Sequence, residues 1–424
     1  MNRLRGSAMP MVLGCTTVAM IVAAIAWDRA ASRRHAANHQ AYVWQAELAA
    51  EAGLATALHL ITTPGDSADS LTRHNSFWLG SRARYLADPG DAGLYPTARA
   101  TGFAKEGAGE VSRTLRVVWG LRPDPVLFGA ALTLFDPNTA PPSGLDVRGE
   151  VRVPLNVSIS SGRKALPTGL AVMQYVPPGV ARDTVAATAL YQERLRSPNA
   201  ILGGGRWDAA HRPPEGDSDI VYTLGDLEIS APENGTRWSP GKGRRVFVEG
   251  RLDIHGAVDL RGWSFYTKGP VVLDGSARLE GFLWSTLPVR LDGSSRFQGE
   301  LVARTRFTAA GDAQVTSPTA ILVKGSLATA DTGCLFQLLD RARVEAYAMA
   351  QYHTSSLEIG AQAEFTGVAV ANNLRNAGKL YGCGVGLRVE GTGKFDRSRL
   401  PADFAVPVGI GTSGGIVVIR RVLE

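Results

Sequence analysis

The segment PVVLDGSARLEG at 270–281 returns as PVRLDGSSRFQG at 288–299, a step of 18 that keeps Pro, Val, Leu, Asp, Gly, Ser, Arg and Gly in register. Phe307-Thr308-Ala309-Ala310-Gly311 extends the series by another 18, and Leu252-Asp253-Ile254-His255-Gly256 precedes it by 19. Such a period gives three short strands per coil, each turned by a small residue. Stacking the coils pairs most backbone N–H and C=O groups with the coils above and below, at about 4.8 Å, which is a β-solenoid. Val271, Leu273, Val289, Leu291 and Phe307 alternate so as to fill its interior. Glycine supports this reading: 48 of 424 residues is above the usual share of about 7%, and the excess marks the corners of the coils.

The solenoid is expected over residues 245–424. Its pattern breaks between Gly325 and Gly360, where the run 334–352, CLFQLLDRARVEAYAMAQY, spaces its apolar residues as a helix packed on or inserted into the coils. The coil pattern resumes over 357–367 and again over 385–395, and 415–423 reads as a terminal strand closing the end. The repeat unit resembles bactofilin-like bacterial β-solenoids over residues 245–325.

The N-terminus sets a different constraint. Residues 7–27 hold no charged side chain, and as a helix they rise about 30 Å, the hydrocarbon thickness of a bilayer. Arg3 and Arg5 precede this segment, so the positive-inside rule places the N-terminus in the cytoplasm and the rest of the chain across the membrane. Three processing readings compete. A signal peptidase would cut after Ala24-Ile25-Ala26, a lipoprotein signal would use Cys15, and a retained helix would simply continue. Continuation is favoured, because 28–61 has no proline, a single glycine at Gly53, and an apolar stripe through Val43, Ala46 or Glu47, Ala50, Leu54, Ala57 or Leu58, and Ile61. Pro64-Gly65 ends it.

Arg5-Gly6-Ser7-Ala8 ahead of the apolar stretch, followed by Ala50-Glu51-Ala52-Gly53-Leu54, resembles the N-terminus of PilX-type minor pilins. The resemblance covers the leader and the helix. It implies a basic leader at 1–6, prepilin-peptidase cleavage between Gly6 and Ser7, a transmembrane and pilin-like helix at 7–63, and docking against other pilin-like subunits or their assembly machinery. The family's glutamate at mature position five is Met11 here.

Residues 64–122 read as a small β region. Two half-buried strands, 94–103 and 111–119, flank a turn at 105–109 and form an antiparallel hairpin. Residues 123–244 read as β-rich with one helix at 181–197. The fold class expected is therefore mainly β: a long N-terminal helix, a small β region, then a solenoid with helical insertions.

No active site emerges, and no cofactor or metal is expected. Asp274 and Asp292 would stack in successive coils, where Asp-Gly serves the turn itself. His35 and His39 lie four apart on a helix without a third ligand, and Asp217 with Asp219 is a lone pair in a loop. Gly203-Gly204-Gly205 lacks the Gly-Lys-Ser/Thr of a phosphate loop. Cys334 and Cys383 fall in the exported region, where one disulfide and two buried thiols are equally compatible with the sequence. The net charge of +6 comes mainly from Arg3, Arg5, Arg29, Arg33 and Arg34, so a nucleic-acid partner is not expected. The expected protein is a non-enzymatic structural component of a bacterial type IV pilus, a type II secretion-like filament or the cell surface. It would sit in the inner membrane as a single-pass chain, with its body in the periplasm or at the cell surface. The alternative is a surface β-helix protein that binds or cleaves polysaccharide.

Overall fold

A computed structural model describes residues 8–62, 77–79, 83–88, 95, 97–106, 109–123, 128–136, 141–152, 202–203, 205–214, 220–232, 235–323, 334–350, 356–407 and 416–423. The chain divides into two compact units. The first holds Met1–Asp91, Thr97–Val118 and Arg420–Glu424; the second holds Ala92–Pro96 and Trp119–Ile419.

The first unit is one helix on one sheet. The helix is Ala8–Thr62, 55 residues long, in keeping with a stretch rich in alanine and poor in breakers. The sheet has five strands in the order Phe77–Leu79, Ala83–Asp88, Thr97–Glu106, Gly109–Leu121 and Ile416–Leu423. The expected hairpin is present: Thr97–Glu106 runs antiparallel to Gly109–Leu121, and Glu106 pairs Gly109 at the turn. The strand Ile416–Leu423 joins this sheet, so it does not close the end of the solenoid as its sequence suggested. Its β-branched run meets the ladder of Gly109–Leu121 instead.

The second unit is a β-solenoid with about ten coils among the described residues. A narrow sheet takes one short parallel strand from every coil, from Arg206–Trp207 to Arg388–Glu390. Its registered partners Val272, Arg290 and Thr308 follow at steps of 18, as the repeat requires. A wide sheet takes the long strands, such as Arg278–Ser285 and Arg296–Ala303. Two of the three strands expected per coil are therefore continuous here, with the inward-outward alternation interrupted near Gly281 and Gly299. At that place the coils approach so closely that a Cβ on Gly281 would stand 2.1 Å from the Trp263 carbonyl oxygen. The interior is one continuous apolar cluster, with Leu273, Leu291, Phe297, Leu301 and Phe307 among its buried side chains.

Three further expectations change. The solenoid begins well before residue 245, at Leu202–Gly203 and Arg206–Trp207. The helix expected at 334–352 is absent: Cys334–Leu338 and Arg343–Ala350 are strands, one in each sheet. Val344, Ala346, Ala348 and Ala350 face the core alternately, and the ladder to Glu364–Ala371 overrides the helical bias of alanine. Finally, Leu132–Leu134 and Asp146–Arg148 extend the wide sheet beyond its last coils, pairing Gly384–Gly386 and Lys394–Asp396 in parallel. The helix expected at 181–197 lies outside the described residues.

On the late coils the outer face of the wide sheet is itself a core. Val302, Leu322, Met349 and Val370 point outward yet are buried. Phe128 meets Tyr347 edge-on at 6.4 Å between ring centroids. The Tyr95 hydroxyl donates to the Ala405 carbonyl at 3.0 Å, and its backbone N–H donates to Glu300 Oε1 at 3.1 Å.

Candidate functional site

The N-terminal helix divides along its length into two chemically different halves. From residue 43 to 57 one side faces the sheet, through Ala46, Ala49, Ala50, Gly53, Leu54 and Ala57, all buried. This is the stripe that the sequence spacing marked. Small residues let the two backbones approach. A Cβ on Gly53 would lie 2.9 Å from the Ala100 Cβ and from Tyr85, so glycine is required there by space. Thr56 donates to the Ala52 carbonyl at 3.0 Å, and its Oγ1 lies 2.9 Å from the Tyr85 hydroxyl, which seals the contact's lower edge. Within the Ala50–Leu54 motif, Glu51 and Ala52 are half-buried at the border of this stripe.

The other half is bare. Every described side chain from Thr16 to Ala41 is exposed. Val18, Met20, Ile21, Val22, Ile25 and Trp27 are each at least half exposed, Trp27 at 77%. At about 100° per residue Val18, Ile21, Val22 and Ile25 share one side of the axis, Met20 and Trp27 lie opposite, and exposed alanines at 19, 23, 24 and 26 fill the rest. Arg29, Arg33, Arg34, His35 and His39 follow, also exposed. Further down, Trp44 at 62% and Leu48 at 63% exposed lie on the side opposite the sheet. The sequence stripe did not reveal that second apolar face; the spacing of Trp44 and Leu48 by one helical turn was its only signal. Among the described side chains, which begin in this helix at Thr16, no helix is long and apolar enough to cross a membrane. The first part of the uncharged segment, including Gly6 and Ser7 of the expected processing site, lies outside that set.

The two cysteines belong to different sheets. Cys334 opens a strand of the narrow sheet, and Cys383 sits in the strand Lys379–Gly386 of the wide one. Cys383 is buried, with its Sγ 3.8 Å from the Gly384 carbonyl oxygen, and the side chain of Cys334 lies outside the described set. Burial in apolar surroundings pushes this thiol up to about 12.

The solenoid's polar corners are structural. Asp274 and Asp292 each accept the N–H of the following glycine through Oδ1, at 2.5 and 2.9 Å. Gly275 and Gly293 have φ of 71° and 62°, the left-handed region that a turn demands. Arg290 also pairs with Asp292, its Nε donating at 2.8 Å. On the narrow sheet, Arg375 bridges Glu358 at 2.8 Å and Glu390 at 3.3 Å, a ladder of alternating sign. Asp208 accepts the backbone N–H groups of His211 and Ala210, which holds its carboxyl at about 2. No group of three or more His, Cys, Asp or Glu able to hold a metal occurs among the described residues. His35 and His39 are exposed on the helix, and Asp217 and Asp219 lie outside the described residues.

One outer face of the early coils carries an aromatic ladder. Tyr222, Phe247, Tyr266 and Phe282 follow with centroid spacings of 5.1, 4.7 and 5.1 Å. The first two steps are near parallel, at 14° and 11°, so these rings cover one another's faces and turn their edges outward.

No protein-family model, curated protein or solved structure matches the chain.

Proposed function

We propose that this chain is a pilin-like structural protein, anchored by its N-terminal helix and displaying the solenoid as its exported body. The single observation behind this reading is the two-part helix: residues 43–57 are sealed onto an antiparallel sheet by small side chains, while residues 16–41 are bare and, up to Trp27, uncharged and largely apolar. Exposing six large apolar side chains to water is costly, at about 25 cal/mol per Å² of apolar surface. Their natural surroundings are a lipid core or the helices of neighbouring subunits. The face holding Trp44 and Leu48 continues the same chemistry one turn apart and suits a second helix. The resemblance of Gly6-Ser7 and of Ala50-Glu51-Ala52-Gly53-Leu54 to PilX-type minor pilins points the same way. On this reading the chain is a non-enzymatic component of a type IV pilus-like or secretion-like filament in a bacterial inner membrane, and its partners are the membrane and other pilin-like subunits.

Mass spectrometry of the N-terminus, after expression with a prepilin peptidase, tests the assignment. A mature chain beginning at Ser7 is the expected result. A chain beginning at Trp27 would mark a cleaved secretory signal and overturn it.

A further inference from the structure

The geometry points to a lipid-headgroup collar on the helix: Arg29, Arg33 and Arg34 bind the anionic surface of the bilayer that holds residues 8–27. This inference rests on the anchored reading above and names the chemistry of the membrane partner. Three observations carry it.

The apolar residues above the collar point in all directions. Val18, Ile21, Val22 and Ile25 share one side, Met20 and Trp27 lie opposite, and the exposed alanines at 19, 23, 24 and 26 complete an apolar surface round the axis. A helix that docks in a protein groove presents one apolar stripe; one that is apolar all round is solvated by lipid.

The arginines follow directly. Arg29 and Arg33 are one turn apart and share a side, and Arg34 turns about 100° from Arg33, so the three span about 140° of the axis. All three are exposed. The acidic residue within this collar is Asp28, so the local charge is positive.

The spacing also fits. From Trp27 to Arg34 the helix rises about 10 Å. A headgroup layer is roughly 5–8 Å thick on each side of a hydrocarbon core of about 30 Å, the rise of residues 8–27. Trp27 then stands at the boundary, where an amphipathic ring is favoured, and the guanidinium groups reach the phosphates just beyond it.

The test uses the full chain reconstituted into bilayers of mixed phosphatidylcholine and phosphatidylglycerol, with lipid selectivity read from spin-labelled lipids of each kind. The chain is expected to favour phosphatidylglycerol, and each successive change among R29Q, R33Q and R34Q should lower that preference, by up to about five-fold apiece. Raised salt should weaken it in the same direction. Equal preference for the two lipids, or a preference unchanged in the triple variant, with the chain still co-floating with the vesicles, would overturn the collar and leave the anchored reading standing. A chain recovered in the aqueous fraction would overturn both.

Discussion

Gly102, on the strand Thr97–Glu106, lies so close beneath the helix that a β-carbon there would stand 1.9 Å from the carbonyl oxygen of Ala46. The neighbouring atoms are helix backbone, with Ala50 N at 2.3 Å, so no side chain can swing aside to make room. G102A should therefore lift the helix from the sheet and cost about 1–3 kcal/mol, the range for an overpacked core. Hydrogen exchange provides the measurement. Amides of residues 43–57 should lose protection in the variant, while those of the solenoid strands Val271–Leu273 and Val289–Leu291 keep theirs.

Where the sequence was legible, a local rule and the tertiary structure agreed. The coils from residue 252 to 311 keep a step of 18 or 19 because Gly256, Gly275, Gly293 and Gly311 occupy the same left-handed corner, with φ between 62° and 76°. The helix stripe was legible because Ala46, Ala50, Leu54 and Ala57 sit on one side of a long helix. The strand Arg343–Ala350 failed the same test, since alternate alanines satisfy both a strand's period and a helix's preference. Pairing of Leu132 with Gly384 joins positions far apart in the chain, and nothing local announces it. The exposed half of the helix was visible as an uncharged segment. Its all-round exposure, with three exposed arginines just below, is a property of the structure.

At the corner after Leu338 the series of glycines gives way to Asp340, which adopts φ of 52°. Its Oδ2 accepts the N–H of Gly311 in the preceding coil at 2.9 Å, which offsets the strain of a left-handed L residue. Glycine at 340 would relieve the strain and lose the bond, so D340G should change stability little. D340A keeps the strain without the bond and should cost about 1–3 kcal/mol. Thermal unfolding of the three chains checks the order, and an alanine variant as stable as the other two would contradict it.

Cys383 should be inert in the folded chain. Its side chain is fully buried, and burial holds the thiol near 12 rather than in the ordinary range for cysteine. At pH 8 the thiolate fraction is then about 10⁻⁴, which slows alkylation by about a thousand-fold or more even before access is considered. Iodoacetamide at that pH should leave the peptide carrying Cys383 unmodified in the native protein and modify it readily in urea. Labelling at comparable rates in both states would show that the wide sheet opens there.

The last corner of the solenoid makes the chain acid-sensitive. Asp396 is held at about 2, first by the Ser398 hydroxyl, which donates to Oδ1 at 2.6 Å, and then by Lys394, whose Nζ lies 3.0 Å from Oδ2. The folded carboxyl is thus more acidic than an unfolded one, which titrates near 3.8. Its contribution to stability is present in full above the unfolded value and disappears as pH falls from about 4 towards about 2. D396N removes that contribution at every pH. The difference in unfolding midpoint between the parent chain and D396N should be widest near neutral pH and should close between pH about 4 and about 2. A gap that stays constant through that window would mean that the carboxylate's charge plays no part in holding the corner.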